Sequence, residues 1–324
     1  MISVVVPVYD ERDSLPALYS EIAAVAREAQ LDLEVVFVDD GSTDGSWPII
    51  TDLAREHAEV HGLRFRRNFG KAAALSAGLR AARGDIIFTL DADLQDDPAE
   101  IPRFLAQLNE AKSVQRFDVI SGWKRVRHDP WHKVWPSRVF NHMVSWMTGV
   151  PLHDHNCGMK CYRAEVFREV RLYGELHRFI PVLAAARGFR VGEIEINHRP
   201  RRFGHSKYGV RRFVKGFLDL LTVKFLTGFG QRPQHLLGSL GLISFLLGNL
   251  GMVYLAVTWV VRKWYPDSEY EPLHQRALLF YSLAALLLGA QMMSIGFLAE
   301  LVTAYMSRDE DSYSIADKTS PKDP

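Results

Sequence analysis

The sequence predicts an α/β domain with a mainly parallel sheet, followed by interfacial amphipathic helices and a C-terminal hairpin of two transmembrane helices. Over residues 1–121, apolar runs of strand length alternate with segments of helix length, as in βαβ units. Basic residues and tryptophans then intermingle, and two long stretches without charged residues follow residue 232. We place the domain at residues 1–210, the amphipathic juxtamembrane segment at 211–232, the hairpin at 233–304 and a disordered tail at 305–324.

Five strands are predicted in the domain, each an apolar or β-branched run. They are "ISVVVPV", "LEVVFVDD", "GLRFRRN", "GDIIFTLDAD" and "FDVISG". Segments 14–29 and 71–83 have helical length and pattern. Because right-handed βαβ crossovers make the strands parallel, their carboxyl ends meet at one edge, where such sheets bind ligands. The polar clusters "YDERD", "DDGSTDGS", "NFGK" and "DADLQDD" follow the first four strands and predict a site at that edge.

Asp91 and Asp93 end the fourth predicted strand and would aim two carboxylates into one cleft. Like charges this close repel each other unless a cation lies between them. Carboxylate oxygens are hard ligands, so the expected cation is Mg²⁺ or Mn²⁺, with Gln95 as a further oxygen donor. Asp96 and Asp97 precede Pro98 and are expected to cap a helix. The alternative for the first pair is a solvated turn.

A second acidic cluster, Asp39 and Asp40, ends the second strand before a glycine turn. One of these carboxylates could accept hydrogen bonds from a nucleobase or ribose, whereas helix capping explains the residues that follow. Lys71 begins a predicted helix, so its ammonium group and the helix N-terminus could both face a phosphate. The alternative for Lys71 is an ordinary exposed lysine.

Two apolar stretches are long enough to cross a bilayer, which requires roughly 20 residues. We predict helices over about residues 235–261 and 277–300. Aromatic residues lie near their ends, and the short linker makes a hairpin with both chain ends on one side. No signal peptide begins the sequence, so we expect a multi-pass protein of the inner cell membrane with its domain in the cytosol. The alternative is two buried helices in a soluble protein.

Basic residues are expected near the membrane. Residues 123–138, "WKRVRHDPWHKVWPSR", have a composition suited to the interface. Residues 211–226 carry Arg211, Lys215 and Asp219 on one stripe, and we interpret them as an amphipathic helix on the cytoplasmic leaflet. Most of these cations are expected to contact anionic head groups. The cations of the first segment are Lys124, Arg125, Arg127, Lys133 and Arg138.

Two other classes of site are not favoured. The segment "HDHNCGMKC" suggests zinc ligands, but its spacing matches no standard zinc pattern. The formal net charge is only +1, so no global field would attract nucleic acid, and no such partner is expected. The zinc ligands would be His153, His155, Cys157 and Cys161.

Six motifs, in their order and spacing over residues 2–209, resemble the family 2 glycosyltransferases of GT-A fold. Within that family they resemble the polyprenyl-phosphate glycosyltransferases of the bactoprenol glucosyltransferase and dolichol-phosphate mannose synthase type. The two apolar helices resemble the bactoprenol branch. Asp10 departs from the pattern, because many relatives have asparagine before the glutamate. The motifs are "VVPVYDERDSL", "VDDGSTDGS", "RNFGKAAALSAG", "DADLQDDP", "HDHNCGMKCYR" and "RRFGHSKYG".

The resemblance implies a role for each matching residue. Asp93 and Asp154 would be catalytic, with Asp154 orienting the acceptor or acting as a base. The donor nucleotide would be bound by Pro7, Tyr9, Glu11, Asp40, Lys71 and Asp91. The metal ligands would be Asp91, Asp93 and Gln95. Independently of the resemblance, the basic residues expected between the sheet and the bilayer are candidates to bind the acceptor phosphate. They are Arg125, Arg127, Arg138, Arg202 and Lys207.

The implied activity is the inverting transfer of a hexose-like sugar from a nucleotide sugar, expected to be UDP-glucose or similar, to undecaprenyl or another polyprenyl phosphate. The family's membrane hairpins also imply a homo-oligomer. One alternative is a processive polysaccharide synthase, although the sequence has no "QxxRW" segment. The other is a non-catalytic nucleotide-binding subunit of a lipid-sugar flippase system. A dinucleotide oxidoreductase is not favoured, since no GxGxxG follows the first strand.

Overall fold

The computed structural model describes residues 1–109, 116–125, 131–170, 176–199, 211–228, 233–265 and 272–306. The chain divides into two compact units, one ending at Lys224 and the other beginning at Phe225. The first unit contains a sheet with its helices, and the second contains two long apolar helices. The expected acceptor residues Arg127, Arg202 and Lys207 lie outside the described residues, as does the tail from residue 307.

Seven strands form one sheet in the described part of the first unit. They are β1 (Ile2–Val8), β2 (Leu33–Asp39), β3 (Val60–Arg64), β4 (Ile86–Thr89), β5 (Val119–Trp123), β6 (Lys160–Arg163) and β7 (Val191–Glu195). Their order is β3-β2-β1-β4-β6-β5-β7. Only β6 runs antiparallel to its neighbours, β4 and β5. The mainly parallel sheet is therefore confirmed, and β1 to β5 are the five predicted strands.

The sequence pattern did not reveal β6 and β7. β6 has four residues, "KCYR", and opens with a lysine. β7, "VGEIE", contains a glycine and two glutamates. Neither has the apolar run that marks a strand buried on both faces, so pairing with β4 and β5, distant in sequence, defines them.

The described residues also form ten α-helices. They are α1 (Leu15–Glu28), α2 (Ser46–Glu56), α3 (Lys71–Ala81), α4 (Ile101–Asn109), α5 (Trp131–Thr148), α6 (Val166–Glu169), α7 (Ile180–Ala186), α8 (Arg211–Gly228), α9 (Pro233–Trp264) and α10 (Ala277–Met306). The segments predicted at 14–29 and 71–83 correspond to α1 and α3. Short 3₁₀ helices lie at Pro98–Glu100, Leu176–Phe179 and Leu273–Gln275.

Alternate residues of β1 enter hydrophobic cores on opposite faces of the sheet. Val4 and Val6 pack in one core with side chains of α1 and α4, whereas Val5 packs in another with Leu75 of α3. All three valines are fully buried, which explains why the strand is apolar throughout. A Cβ at Gly78 would lie 2.4 Å from Cγ1 of Val5, so the close approach of α3 to β1 requires glycine there.

A third core joins α5 and α8. Phe140 and Val144 of α5 pack there with Leu220 and Val223 of α8. Other apolar side chains of α8 are exposed, including Leu221 at 43%. The amphipathic segment is thus a helix with two apolar faces, one of which packs against the domain. Contact of the exposed face with a bilayer remains a prediction.

The two helices of the second unit are long and apolar enough to cross a membrane, over Gln234–Trp264 and Ala277–Val302. These spans correspond to the predicted pair. A Cβ at Gly248 would lie 2.6 Å from the backbone nitrogen of Leu286, an approach through small residues that is typical of packed membrane helices. Many outward side chains are exposed, including Leu250 at 66%. Two core helices of a soluble protein would instead bury them.

We expect adjacent leucines of α8 to respond differently to truncation. Leu220→Ala removes a fully buried side chain and should destabilise the first unit by about 2–5 kcal/mol, because it leaves a cavity in the third core. Leu221→Ala should change the free energy of unfolding by less than about 0.5 kcal/mol. Thermal unfolding midpoints of the full-length protein in detergent compare the two. Equal midpoints would contradict the assignment of Leu220 to the packed face.

Candidate active site

A cavity of about 410 Å³ opens at the carboxyl edge of the parallel strands. The loops after β1, β2 and β4 and the start of α3 line it, as the strand-end clusters predicted. Every residue expected to bind the donor or the metal lies on its wall. These residues are Pro7, Tyr9, Glu11, Asp40, Lys71, Asp91, Asp93 and Gln95.

Asp40 holds the loop that leads into α3. Its Oδ1 accepts a hydrogen bond from the backbone nitrogen of Phe69 at 2.7 Å, and its Oδ2 accepts one from Gly70 at 2.9 Å. Burial, together with the charge of Asp39, raises the pKa of Asp40 despite these two hydrogen bonds, which lower it. Because each carboxylate oxygen has two lone pairs, the same group can still accept from a ligand.

Asp10, which departs from the family pattern, links the loop after β1 to the loop after β2 by hydrogen bonds. Its Oδ1 accepts a hydrogen bond from the backbone nitrogen of Thr43 at 2.9 Å, and its own nitrogen donates to Oγ of Ser42 at 3.0 Å. The residue has a φ of 52°, in the left-handed region, which asparagine and aspartate tolerate better than most residues. An acid therefore serves this turn as an asparagine would.

Lys71 and Asp91 form an ion pair across the cavity, with Nζ of Lys71 2.5 Å from Oδ1 of Asp91. Each side chain is about a third exposed. Burial raises the pKa of Asp91, but Lys71, Lys124 and Lys160 together lower it to about 2. Asp91 therefore stays ionised at any physiological pH.

Asp93 and Gln95 lie in a strained turn after β4. Oδ1 of Asp93 accepts a hydrogen bond from the backbone nitrogen of Gln95 at 3.1 Å. Leu94 between them has a φ of 59°, a conformation that a leucine adopts only when its surroundings enforce it. Leu94 is 2% exposed, in the core with Phe104. Its burial holds both neighbouring polar side chains at the cavity.

The acidic pair fits a divalent cation in the chemistry of its donor atoms. Asp91, Asp93 and Gln95 offer hard carboxylate and amide oxygens. Among the described residues no group of three or more His, Cys, Asp or Glu side chains could hold a metal. Mg²⁺ needs only one or two carboxylates when substrate phosphates provide further ligands. These residues therefore suit Mg²⁺ or Mn²⁺ bound together with a diphosphate.

The cavity wall also carries basic groups that the sequence analysis missed, namely Lys160, His177 and Arg178. Lys160 pairs with Thr89 of β4, which brings it near Asp91. Its Nζ donates to the carbonyl of Cys157, and burial lowers its pKa. Burial also holds the pKa of His177 well below its usual range, so this imidazole is neutral at pH 7. The missed signal was Lys160 at the start of an unrecognised strand.

The capping prediction is correct for Asp97 and wrong for Asp96. The side chain of Asp97 accepts a hydrogen bond from the backbone nitrogen of Ala99 at 2.9 Å. Asp96 is instead buried and lies 2.6 Å from Nζ of Lys124. Lys124 was expected at the membrane interface, but its side chain is only 14% exposed. Lys124 directly follows β5. From this position its side chain reaches Asp96 in the loop after β4.

The expected acceptor residues that the structure describes do not line the cavity. Arg125 is exposed and pairs with Glu195 at 3.3 Å, and Arg138 is exposed on α5. Asp154 is buried, with Oδ1 accepting a hydrogen bond from the backbone nitrogen of Asn156 at 3.1 Å. Asn156 lines the cavity, whereas Asp154 does not.

The residues of the zinc alternative have other partners. His153 stacks on Trp123 at a ring distance of 4.2 Å and pairs with Glu193 at 2.7 Å. Nε2 of His155 lies 3.0 Å from Oγ of Ser145. Both thiols are buried, and burial raises their pKa values. This environment favours neutral thiols over the thiolates that bind zinc.

Comparisons with known proteins identify relatives of the chain. Residues 3–171 match the family model described as Glycosyl transferase family 2. The chain is 36% identical over 315 residues to the dodecaprenyl-phosphate galacturonate synthase of Rhizobium johnstonii, covering 96% of this chain and 90% of that relative. It is 33% identical over 305 residues to an undecaprenyl-phosphate 4-deoxy-4-formamido-L-arabinose transferase of Aeromonas hydrophila, covering 93% and 88%.

Solved structures share the fold at low identity. Glucosyl-3-phosphoglycerate synthase of Mycobacterium tuberculosis, in complex with Mn²⁺ and UDP-glucose, has a TM-score of 0.53 at 16% identity, over 70% of this chain and 78% of that one. Mannosyl-3-phosphoglycerate synthase of Rubrobacter xylanophilus has the same score and identity, over 69% and 74%. The expected GT-A fold is thereby confirmed.

We expect Lys71→Met to make cation binding more sensitive to acid. Lys71 is the strongest of the charges that lower the pKa of Asp91. Without it, burial should raise this pKa, so Mn²⁺ affinity should fall further between about pH 7.5 and pH 5 than in the native protein. Lys71→Arg keeps the charge and should retain the native profile. Electron paramagnetic resonance of free Mn²⁺ measures the affinities, and identical profiles for Lys71→Met and native protein would contradict this account.

Proposed function

The chain belongs to glycosyl transferase family 2, and we propose that it transfers a sugar from a nucleotide sugar to the phosphate of a polyprenyl phosphate, releasing the nucleoside diphosphate. The observation that carries the proposal is the cavity in which the acids after β4, Lys71 and the loops after β1 and β2 meet. The two relatives are named for dodecaprenyl and undecaprenyl phosphate, with different sugars. A shared acceptor class with differing sugars supports polyprenyl phosphate as the acceptor here.

The donor diphosphate would lie between Lys71 and the acidic pair, with its nucleoside beside Tyr9 and Glu11. Asp91, Asp93 and Gln95 would hold Mg²⁺ or Mn²⁺, which when bound supplies positive charge to the departing diphosphate. Lys71 supplies a fixed positive charge at the same place. UDP is the proposed nucleotide, since the mycobacterial synthase of the same fold was crystallised with UDP-glucose and Mn²⁺.

The acceptor needs little help from a base. A phosphate monoester has a second pKa of about 6, so most of it is dianionic at neutral pH. It can attack the anomeric carbon directly, displacing the nucleoside diphosphate with inversion. The main requirement is then to hold the acceptor phosphate and the donor diphosphate in a reactive orientation. The basic side chains of Lys160 and Arg178 in the cavity wall suit this task.

Asp154 fits a positioning role better than that of a base. Its carboxylate is buried and holds the backbone of Asn156, which lines the cavity. A base would have to reach the acceptor oxygen itself. We therefore propose that Asp154 fixes Asn156 at the acceptor end of the cavity.

A polyprenyl acceptor requires a protein at the membrane. We propose that α9 and α10 anchor the chain in the inner membrane, that the exposed face of α8 lies on the cytoplasmic leaflet, and that the protein is a homo-oligomer. The length and apolar character of the two spans support the first of these statements. The exposed leucines of α8 support the second.

We expect purified full-length protein to release UDP only when Mn²⁺, a UDP-sugar and polyprenyl phosphate are all present. Asp93→Asn should lower kcat/KM by at least about a hundredfold, because a cation ligand at the reacting diphosphate is lost. Asp13→Asn, an exposed acid in the loop after β1, is the matched control and should keep full activity. A coupled UDP-release assay over several UDP- and GDP-sugars measures both.

Two results would oppose this function. Full activity of Asp93→Asn would contradict the assignment of Asp93 as a metal ligand. No turnover with any donor, together with tight UDP binding, would favour the non-catalytic nucleotide-binding alternative.

A further inference from the structure

The acidic loop is held by residues that do not line the cavity. Asp96 is fully buried, and Nζ of its partner Lys124, the residue directly after β5, lies 2.6 Å from its Oδ1, with only 14% of the lysine side chain exposed. A second contact comes from the segment after β7, where His198 forms an isolated β-bridge with Asp96. Both contacts act on the residue that directly follows Gln95.

Arg199 adds three contacts from the same segment. Its backbone nitrogen donates to the carbonyl of Gln95 at 2.9 Å. Its guanidinium pairs with Asp97 and with Glu21 of α1, each at 2.7 Å. Three consecutive residues of the loop, Gln95 to Asp97, are therefore fixed from outside the cavity, and α1 anchors the arginine that fixes two of them.

These contacts serve geometry more than stability. The attraction between two buried charges is roughly cancelled by the free energy needed to remove them from water. A well-packed apolar pair of similar size would therefore stabilise the fold equally well. The loop, however, contains the strained turn at Leu94, and such backbone persists only where its surroundings enforce it. Asp93 and Gln95, on either side of Leu94, carry the oxygen atoms that face the cavity.

We propose that Lys124 is a positioning residue for cation and donor binding: through Asp96 it fixes the loop that presents Asp93 and Gln95. This inference rests on the proposed function, in which these residues hold a divalent cation beside the donor diphosphate. Partners that orient metal ligands commonly change metal affinity by 10- to 100-fold when they are removed. Lys124 thus contributes to donor binding without touching the donor.

The test separates positioning from folding. Lys124→Met leaves the carboxylate of Asp96 buried without its partner and is expected to lower the unfolding midpoint. Lys124→Met/Asp96→Asn removes both charges and should keep the native midpoint. Lys124→Arg keeps the charge and should retain most of the native Mn²⁺ affinity. Arg55→Gln, which breaks an exposed pair with Asp52, is the control for the loss of one cation.

We expect the double variant to bind Mn²⁺ in the presence of UDP at least about tenfold more weakly than native protein, by electron paramagnetic resonance without acceptor. Its KM for polyprenyl phosphate should be unchanged. A folded double variant with native Mn²⁺ and UDP affinity would overturn the inference, as would equal losses in donor affinity and acceptor KM. If native protein showed neither UDP-dependent Mn²⁺ binding nor transfer, the proposed function itself would fail.

Discussion

The structure depends on compensating the negative charge gathered after β4. Asp91, Asp93, Asp96 and Asp97 lie within one short loop, and carboxylates this close to a protein interior repel each other unless each has its own partner. The fold provides the partners separately. Asp91 pairs with Lys71 of α3, Asp96 with Lys124 after β5, and Asp97 with Arg199 after β7, while Asp93 accepts a backbone hydrogen bond.

The strand order brings these partners to the acidic loop. β5 and β7 run parallel to each other, so that the residues after both strands, Lys124 and Arg199, emerge at the same edge as the acidic loop. The antiparallel β6 lies between this pair and β4, and its first residue, Lys160, brings another cation beside Asp91. The half of the sheet that carries the basic residues is thus the half that completes the site.

Sequence patterns could predict the donor half of the site because its signals are local. β1, β2 and β4 are apolar runs that end in polar clusters, and parallel strands bring those ends together whatever the rest of the fold. The basic half has no such signal. A lysine after a strand looks the same whether it is exposed or buried, and only long-range pairing places Lys124 under the loop and Lys160 in the cavity wall. The same limitation hid β6 and β7.

The distribution of charge in the cavity matches a reaction between two anions. An acceptor that arrives already ionised needs no carboxylate to remove a proton, and an added negative charge would repel it. Besides Lys71, the basic side chains that line the cavity in the described part of the chain are Lys160, Arg178 and a neutral His177. Asp154, the carboxylate expected from the sequence as a possible base, is buried and accepts a hydrogen bond from the backbone of Asn156. Fixed positive charge and an acidic loop held by its own partners suit the proposed reaction, because a diphosphate and a phosphate repel each other when they are brought together.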